Sequence, residues 1–246
     1  MTPTRIIDAP GGKRVEFPDE PGLEPFIRSA LCGEDYPAPF PDVFRAATVL
    51  DVGAHVGSAA LHFRRVYPGA RIVCLEPNPA SFAYLARNVA GEPGIEIHPV
   101  ALGAEDAEMR LFAGAHSSMQ ASLVASEENR PSSVGVRVRA APALLAELGV
   151  ERISVLKVDT EGMEFPILRA LGAALDAIEV VHLEDHSDAD RRELDALLSG
   201  SHVLFASRAA EPDRGTVTYV QRPALARWRA ATRAPRYTFP KKASAA

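Results

Sequence analysis

A chain of 246 residues, 47% hydrophobic and 24% charged, has ordinary globular composition and is long enough for one α/β domain with a sizeable core. A formal net charge of −5 argues against nucleic-acid binding by electrostatics, and no apolar run approaches the length of a membrane span. Cys32 and Cys74 make neither a disulfide framework nor a metal motif, and residues 1–17 hold no signal-peptide core, so a soluble cytoplasmic protein is the expectation.

Residues 1–45 are punctuated by Pro18, Pro21, Pro25, Pro37, Pro39 and Pro41, which break any long element. One short helix, Glu24 to Cys32, carries Phe26, Ile27, Ala30 and Leu31 on an apolar face, and the segment reads as a lid or collar. A domain spanning residues 46–222 follows. Thr48 to Val52 is a buried strand, and Ser58 to Tyr67 is a helix stopped by Pro68-Gly69. Arg71 to Leu75 is a strand, and Pro79 opens a helix to about Val89. Ile95 to Val100 is a strand. Met109 to Phe112 and Val134 to Arg139 alternate as a hairpin-like pair around a Ser-rich loop. A short helix covers Ala143 to Leu148.

The apolar run Ile153 to Val158 is a strand, followed by a helix from Met163 to Leu171, a strand from Ile178 to Leu183 and a helix from Asp190 to Leu198. His202 to Ala206 and Thr216 to Val220 close the series as an antiparallel pair. Alternating strands and helices predict a doubly wound, mostly parallel sheet with an antiparallel terminal strand. Residues 223–246 read as a basic, solvated tail, because Arg222 to Ala246 has seven basic residues and no acid.

The first strand runs into Asp51-Val52-Gly53-Ala54-His55-Val56-Gly57, and Glu76 follows Gly57 at about the twenty-residue spacing of a ribose-binding acid. A dinucleotide site wants a second glycine where His55 stands, so that the backbone can approach a pyrophosphate. His55 therefore argues against a nicotinamide-dependent oxidoreductase. S-adenosylmethionine carries adenosine, no phosphate, and an ammonium and a carboxylate. Asp51 suits the ammonium, the turn's N–H groups the carboxylate, and Glu76 both ribose hydroxyls. Gly53, Ala54, His55, Gly57, Pro77, Asn78 and Asp159 complete this candidate cofactor set, and the backbone near Ala101 borders the adenine.

Ligands bind beyond the carboxyl ends of strands in such sheets. Two later strand ends, Asp159-Thr160-Glu161-Gly162-Met163-Glu164 and Glu184-Asp185-His186, put five acids and a histidine around one pocket mouth. His186 is the natural base for methyl transfer, with Asp159 and Glu161 as further catalytic candidates. Glu161, Glu184, His186 and Ser118 are candidate substrate contacts. Glu164 reads as a solvated or dipole-pairing helix residue. Asp159, Glu184 and Asp185 offer oxygen ligands for a hard divalent cation such as Mg2+. In the loop His116-Ser117-Ser118-Met119-Gln120, the small hydroxyl residues and Met119 could line adenosine or substrate.

These runs, together with Val100-Ala101-Leu102-Gly103 and Leu156-Lys157-Val158-Asp159-Thr160-Glu161-Gly162-Met163-Glu164, resemble the FkbM-type S-adenosylmethionine-dependent methyltransferases over roughly residues 45–190. The resemblance implies a seven-stranded, Rossmann-like class I methyltransferase fold. It also implies methylation of a hydroxyl on a small molecule, often a sugar or secondary metabolite. Asp51, Gly53 and Gly57 would hold the methionine end and Glu76 the ribose, with Asp159, Glu161, Glu184 and His186 bordering the substrate. His55 stands where the commonest form of the turn has Asn. An amine or carboxylate acceptor, other S-adenosylmethionine chemistry and a non-catalytic binding relative are the alternatives. Oligomeric state stays open, a homodimer included.

Overall fold

The computed structural model describes residues 3–112, 118, 121–124, 133–212 and 214–232. Its centre is a seven-stranded sheet. Five parallel strands form its body: β3 (Thr48–Val52), β4 (Arg71–Leu75), β5 (Ile95–His98), β9 (Val155–Val158) and β10 (Val180–Asp185). β11 (His202–Glu211) and β12 (Arg214–Gln221) complete the order β11-β12-β10-β9-β3-β4-β5. The last strand among the described residues, β12, is the antiparallel one, inserted between β10 and β11 rather than at the edge.

The parallel strands are apolar because both faces are covered. Val49, Ile72, Val155 and Val180 face one core with α1 (Leu23–Cys32), α2 (Ser58–Val66) and α7 (Arg222–Thr232). Their neighbours Leu50, Val73, Leu156 and Val181 face the other, with α4 (Ala141–Glu147), α5 (Glu164–Leu171) and α6 (Asp188–Leu198). α3 (Pro79–Asn88) opens with Pro79 at its first turn and the Asn78 side chain accepting from Ala80 N at 3.0 Å.

The strand expected from Ile95 to Val100 ends at His98. Pro99 has no N–H to extend a ladder, and the chain leaves β5 there. It resumes as β6 (Ala101–Gly103) in a small sheet of order β6-β8-β7, where β7 (Ala107–Phe112) and β8 (Ser133–Ala140) form the expected antiparallel pair.

The first 45 residues hold more structure than their prolines suggest. β1 (Thr4–Asp8) and β2 (Arg14–Pro18) pair as a hairpin through Gly11 and Gly12, both at positive φ. Val15, Phe17, Leu23 and Ile27 are buried in the first core. Residues 222–232, expected as the start of a solvated tail, are helical. Trp228 is buried with its ring centroid 4.5 Å from that of Phe44 and 5.7 Å from that of Phe40. Three aromatic rings have more to gain from mutual burial than the flanking arginines lose. Residues 233–246 lie outside the described residues. Among the described residues, no helix is long and apolar enough to cross a membrane.

Candidate active site

A pocket opens beyond the carboxyl ends of β3, β4, β9 and β10. Gly53, φ 77°, begins its floor. The N–H groups of Gly53 and Ala54 both bond Leu75 O, at 3.0 and 3.1 Å. A Cβ at Gly53 would collide with the Asp159 carbonyl, so no other residue fits where these two strand ends meet. His55 also has positive φ, 50°, and this turns its N–H onto Glu76 Oε2 at 2.7 Å. Asn78 N–H donates to Glu76 Oε1 at 2.7 Å. Each carboxylate oxygen of Glu76 is thus oriented by one amide and keeps a second lone pair. Burial raises the Glu76 pKa to about 7, against the pull of those two bonds.

Burial lowers the His55 pKa to about 4, so its ring is neutral. Ser118 Oγ donates to Glu20 Oε2 at 2.9 Å, which leaves it to accept from His55 Nε2 at 2.9 Å and specifies the Nε2–H tautomer. Glu20, from the N-terminal segment, also accepts Ser118 N–H at 2.7 Å. Among the residues singled out from the sequence, Gly53, Ala54, His55, Glu76, Pro77 and Ala101 line the pocket. Asp51, Gly57 and Asn78 do not. Gly57 precedes α2 against Leu85, and Asn78 caps α3. His116, Ser117, Met119 and Gln120 lie outside the described residues.

Asp51 is wholly buried beneath the floor, 3.3 Å from Lys157 Nζ. Lys157 donates to the Gly53 carbonyl and lies 3.5 Å from Asp159 Oδ2. Burial works against the ammonium, but Asp51 and Asp159 outweigh it and raise the Lys157 pKa. A lone lysine inside an apolar strand was the available signal, since buried lysines need partners. Burial raises the Asp51 pKa against the attraction of Lys157.

Asp159, Glu161 and Glu184 line the pocket opposite Glu76. Burial opposes the Asp159 charge, yet Lys157 and hydrogen bonds from Glu184 and Tyr36 hold its pKa below the usual range. Glu184 is pushed far up by burial and by the Asp159 charge, so the two carboxyls share one proton. Glu161, at φ 56°, is raised to about 7 by burial and by Asp159.

His186 stands behind these acids and does not line the pocket. Its Nε2 lies 3.6 Å from Glu164 Oε1 and 3.7 Å from Glu184 Oε2. Burial opposes its charge, and Glu164, Glu161 and Asp159 outweigh that and raise its pKa. Arg214 Nη2 donates to His186 Nδ1 at 2.9 Å, a contact that only the neutral ring can accept. Of the two roles expected for Glu164, solvated or dipole-pairing, the solvated one does not hold. Glu164 is buried, and it accepts from Thr160 N–H at 2.7 Å, Thr160 Oγ1 at 2.9 Å and Gly162 N–H at 3.0 Å, shaping the turn that presents Asp159 and Glu161.

The oxygen set Asp159, Glu184 and Asp185 does not converge. Successive strand residues point to opposite faces, and Asp185 follows Val181 and Leu183 toward the second core, where Arg191 offsets the burial that raises its pKa. Glu161, Glu184 and His186 do bring ligand atoms within 4.8 Å of one another. Arg214 Nη2 already sits among them, 3.6 Å from Glu161 Oε2 and 3.9 Å from Glu184 Oε1.

Residues that no motif marked complete the wall. Asp35 and Tyr36 come from the N-terminal segment, and Arg208 and Thr216 from β11 and β12. Arg208 Nη1 donates to Asp35 and, at 2.8 Å, to Ser29 Oγ.

A sheet of this order, with a glycine turn after β3 and an acid at the tip of β4, defines the Rossmann-like class I methyltransferase fold. The Methanococcus jannaschii fibrillarin pre-rRNA processing protein shares the fold, with TM-score 0.50, 13% identity and coverage of 88% of this chain and 82% of that one. The chain belongs to the methyltransferase FkbM domain family, whose sequence model matches residues 51–210. Methyltransferase 1 of Beauveria bassiana is 31% identical over 154 residues, 54% of this chain and 61% of that protein. The hexuronic acid methyltransferase AglP of Haloferax volcanii is 28% identical over 152 residues, 61% of this chain and 60% of that protein. The chain thus spans about three-fifths of the length of these curated relatives.

Proposed function

We propose that this protein transfers a methyl group from S-adenosylmethionine to a hydroxyl of a small molecule, a sugar or a secondary metabolite. The observation that carries the reading is Glu76, whose carboxylate is aimed into the pocket by His55 N–H and Asn78 N–H beside a glycine turn. Its two free lone pairs fit vicinal ribose hydroxyls, and apolar Leu102, Leu111 and Met163 fit an adenine. The buried carboxylate of Asp51, paired with Lys157 at 3.3 Å, supplies negative charge under the turn for an ammonium.

Bound S-adenosylmethionine supplies a methyl on a sulfonium. An acceptor oxygen forms the new C–O bond as the S–C bond breaks, its electron pair staying on sulfur to leave the neutral thioether. The acceptor's proton passes to the Asp159–Glu184 pair, which lines the pocket and holds one proton between its two carboxyls. A weak base suffices, because the oxygen becomes strongly acidic only as it is alkylated. His186 stands behind the acids and acts through them. No metal takes part in this scheme, since Arg214 already supplies positive charge among Glu161, Glu184 and His186. The hexuronic acid of one relative and the pocket's polar wall of Asp35, Arg208 and Thr216 favour a hydroxyl-rich acceptor. The exposed free thiol of Cys32 suits a cytoplasmic setting.

Calorimetric titration with S-adenosylmethionine and S-adenosylhomocysteine tests the cofactor. A panel of sugars, uronic acids and phenols, assayed for S-adenosylhomocysteine release, tests the acceptor. Binding of neither ligand by folded protein removes the proposal.

A further inference from the structure

Tyr36 lies in a Pro-rich segment outside every motif, 123 positions from Asp159, yet it is fastened on three sides. His62 Nε2 bonds its carbonyl at 3.0 Å, and the 3.1 Å contact of Arg65 Nη2 with His62 Nδ1 makes Nε2 the donor. Its ring packs with Phe63 and His182, at centroid distances of 6.1 and 5.7 Å, and lies 5.6 Å from Lys157 Nζ. Its hydroxyl donates to Asp159 Oδ2 at 2.9 Å. The Asp159 carbonyl abuts Gly53, so this carboxylate stands where the glycine turn meets the acid cluster. A methyl group has to cross at that junction on its way from cofactor to acceptor.

We propose that Tyr36 is a positioning residue that orients the Asp159 carboxylate toward the sulfonium of bound S-adenosylmethionine, an assignment that rests on the methyltransferase reading above. The side chain needs no contact with substrate. Lys157, 3.5 Å from Oδ2 and shared with Asp51, and Glu184 also hold the carboxylate, and the Tyr36 bond opposes its rotation toward the Lys157 ammonium.

The test compares affinities for S-adenosylmethionine, which is charged at sulfur, and S-adenosylhomocysteine, which is not. Wild type, Tyr36→Phe, Asp159→Asn and the double variant are titrated by calorimetry, with unfolding midpoints as the check on folding. Tyr36→Phe keeps the ring against Phe63 and His182 and removes only the hydroxyl. The expected result is a fall of about three- to tenfold in the ratio of the two affinities in Tyr36→Phe, the size of one net hydrogen bond felt indirectly through Asp159. The double variant then shows the ratio of Asp159→Asn alone, because the two residues act as one unit. An unchanged ratio in Tyr36→Phe, or equal weakening of both ligands, overturns the assignment while leaving the methyltransferase reading intact. Folded wild-type protein that binds neither ligand overturns both.

Discussion

Lys157 Nζ stands 3.3 Å from Asp51 Oδ1, and both side chains are buried in the middle of the sheet. The pair lies beneath the glycine turn and sets its charge. Removing one partner leaves the other as an uncompensated buried ion. Lys157→Met is expected to cost about 3–5 kcal/mol of stability. Adding Asp51→Leu should recover part of that loss, because the orphaned carboxylate goes with it. Chemical denaturation of the two variants is the check, and no recovery in the double variant would mean that Asp159 is the dominant partner.

Glu76 connects binding to pH. Its pKa is raised to about 7 by burial, and only the ionised form accepts from two ribose hydroxyls. The bound state therefore holds fewer protons than the free protein below that value. Affinity for S-adenosylmethionine should rise from pH 6 to pH 8 and level off above about 7. Glu76→Gln should flatten this dependence and weaken binding by about 1.5–3 kcal/mol. Titrations at three pH values check both, and a slope surviving in Glu76→Gln would assign it to Glu161, which is raised to a similar value.

His186 offers a separate test of how far the chemistry extends behind the pocket wall. It contacts Glu161, Glu164, Glu184 and Arg214. His186→Ala is expected to lower turnover more than cofactor affinity, since the cofactor side of the pocket is untouched. Steady-state kinetics beside calorimetry would show it. Equal losses in both would mark the residue as structural.

The N-terminal segment is tied to the sheet by Arg208, which bonds Asp35, Ser29 and, at 3.3 Å, Glu34 Oε2. The guanidinium is partly exposed, so Arg208→Ala should cost only about 1 kcal/mol globally. Its local effect should be larger. Hydrogen exchange should quicken across residues 29–36, and unchanged exchange there would show that Tyr36 alone holds the segment.

Trp228 decides whether α7 belongs to the core. It is buried against Phe44 and Phe40, so Trp228→Ala should destabilise the protein by about 3–5 kcal/mol. A solvated helix would lose almost nothing, and thermal unfolding separates the two outcomes.

Where a residue's role depends on its chain neighbours, the sequence was readable. The apolar strands, the turn from Asp51 to Gly57, Asn78-Pro79 as a helix start and the last hairpin all follow from short-range periodicity and capping chemistry. The first hairpin had a local signal too, Gly11-Gly12 between Ile7 and Val15, which surrounding prolines obscured. Strand alternation separates Glu184 from Asp185, but only the position of β10 between β9 and β12 shows which face is the pocket. That the Asp51 carboxylate is paired under the floor follows from β3 and β9 lying side by side, which sets Asp51 opposite Lys157.

The sequence by itself determined the class of fold and the acids that could hold a nucleoside, because strands, turns and caps are decided within a few residues. Tertiary structure alone decided that Tyr36 meets Asp159 across 123 positions, that Arg208 meets Asp35 and that Arg214 sits among the acids. Such partners leave no periodic trace. The sheet's strand order and the right-handed crossovers bring them together, and buried charges then select whichever counter-charges the fold has placed within reach.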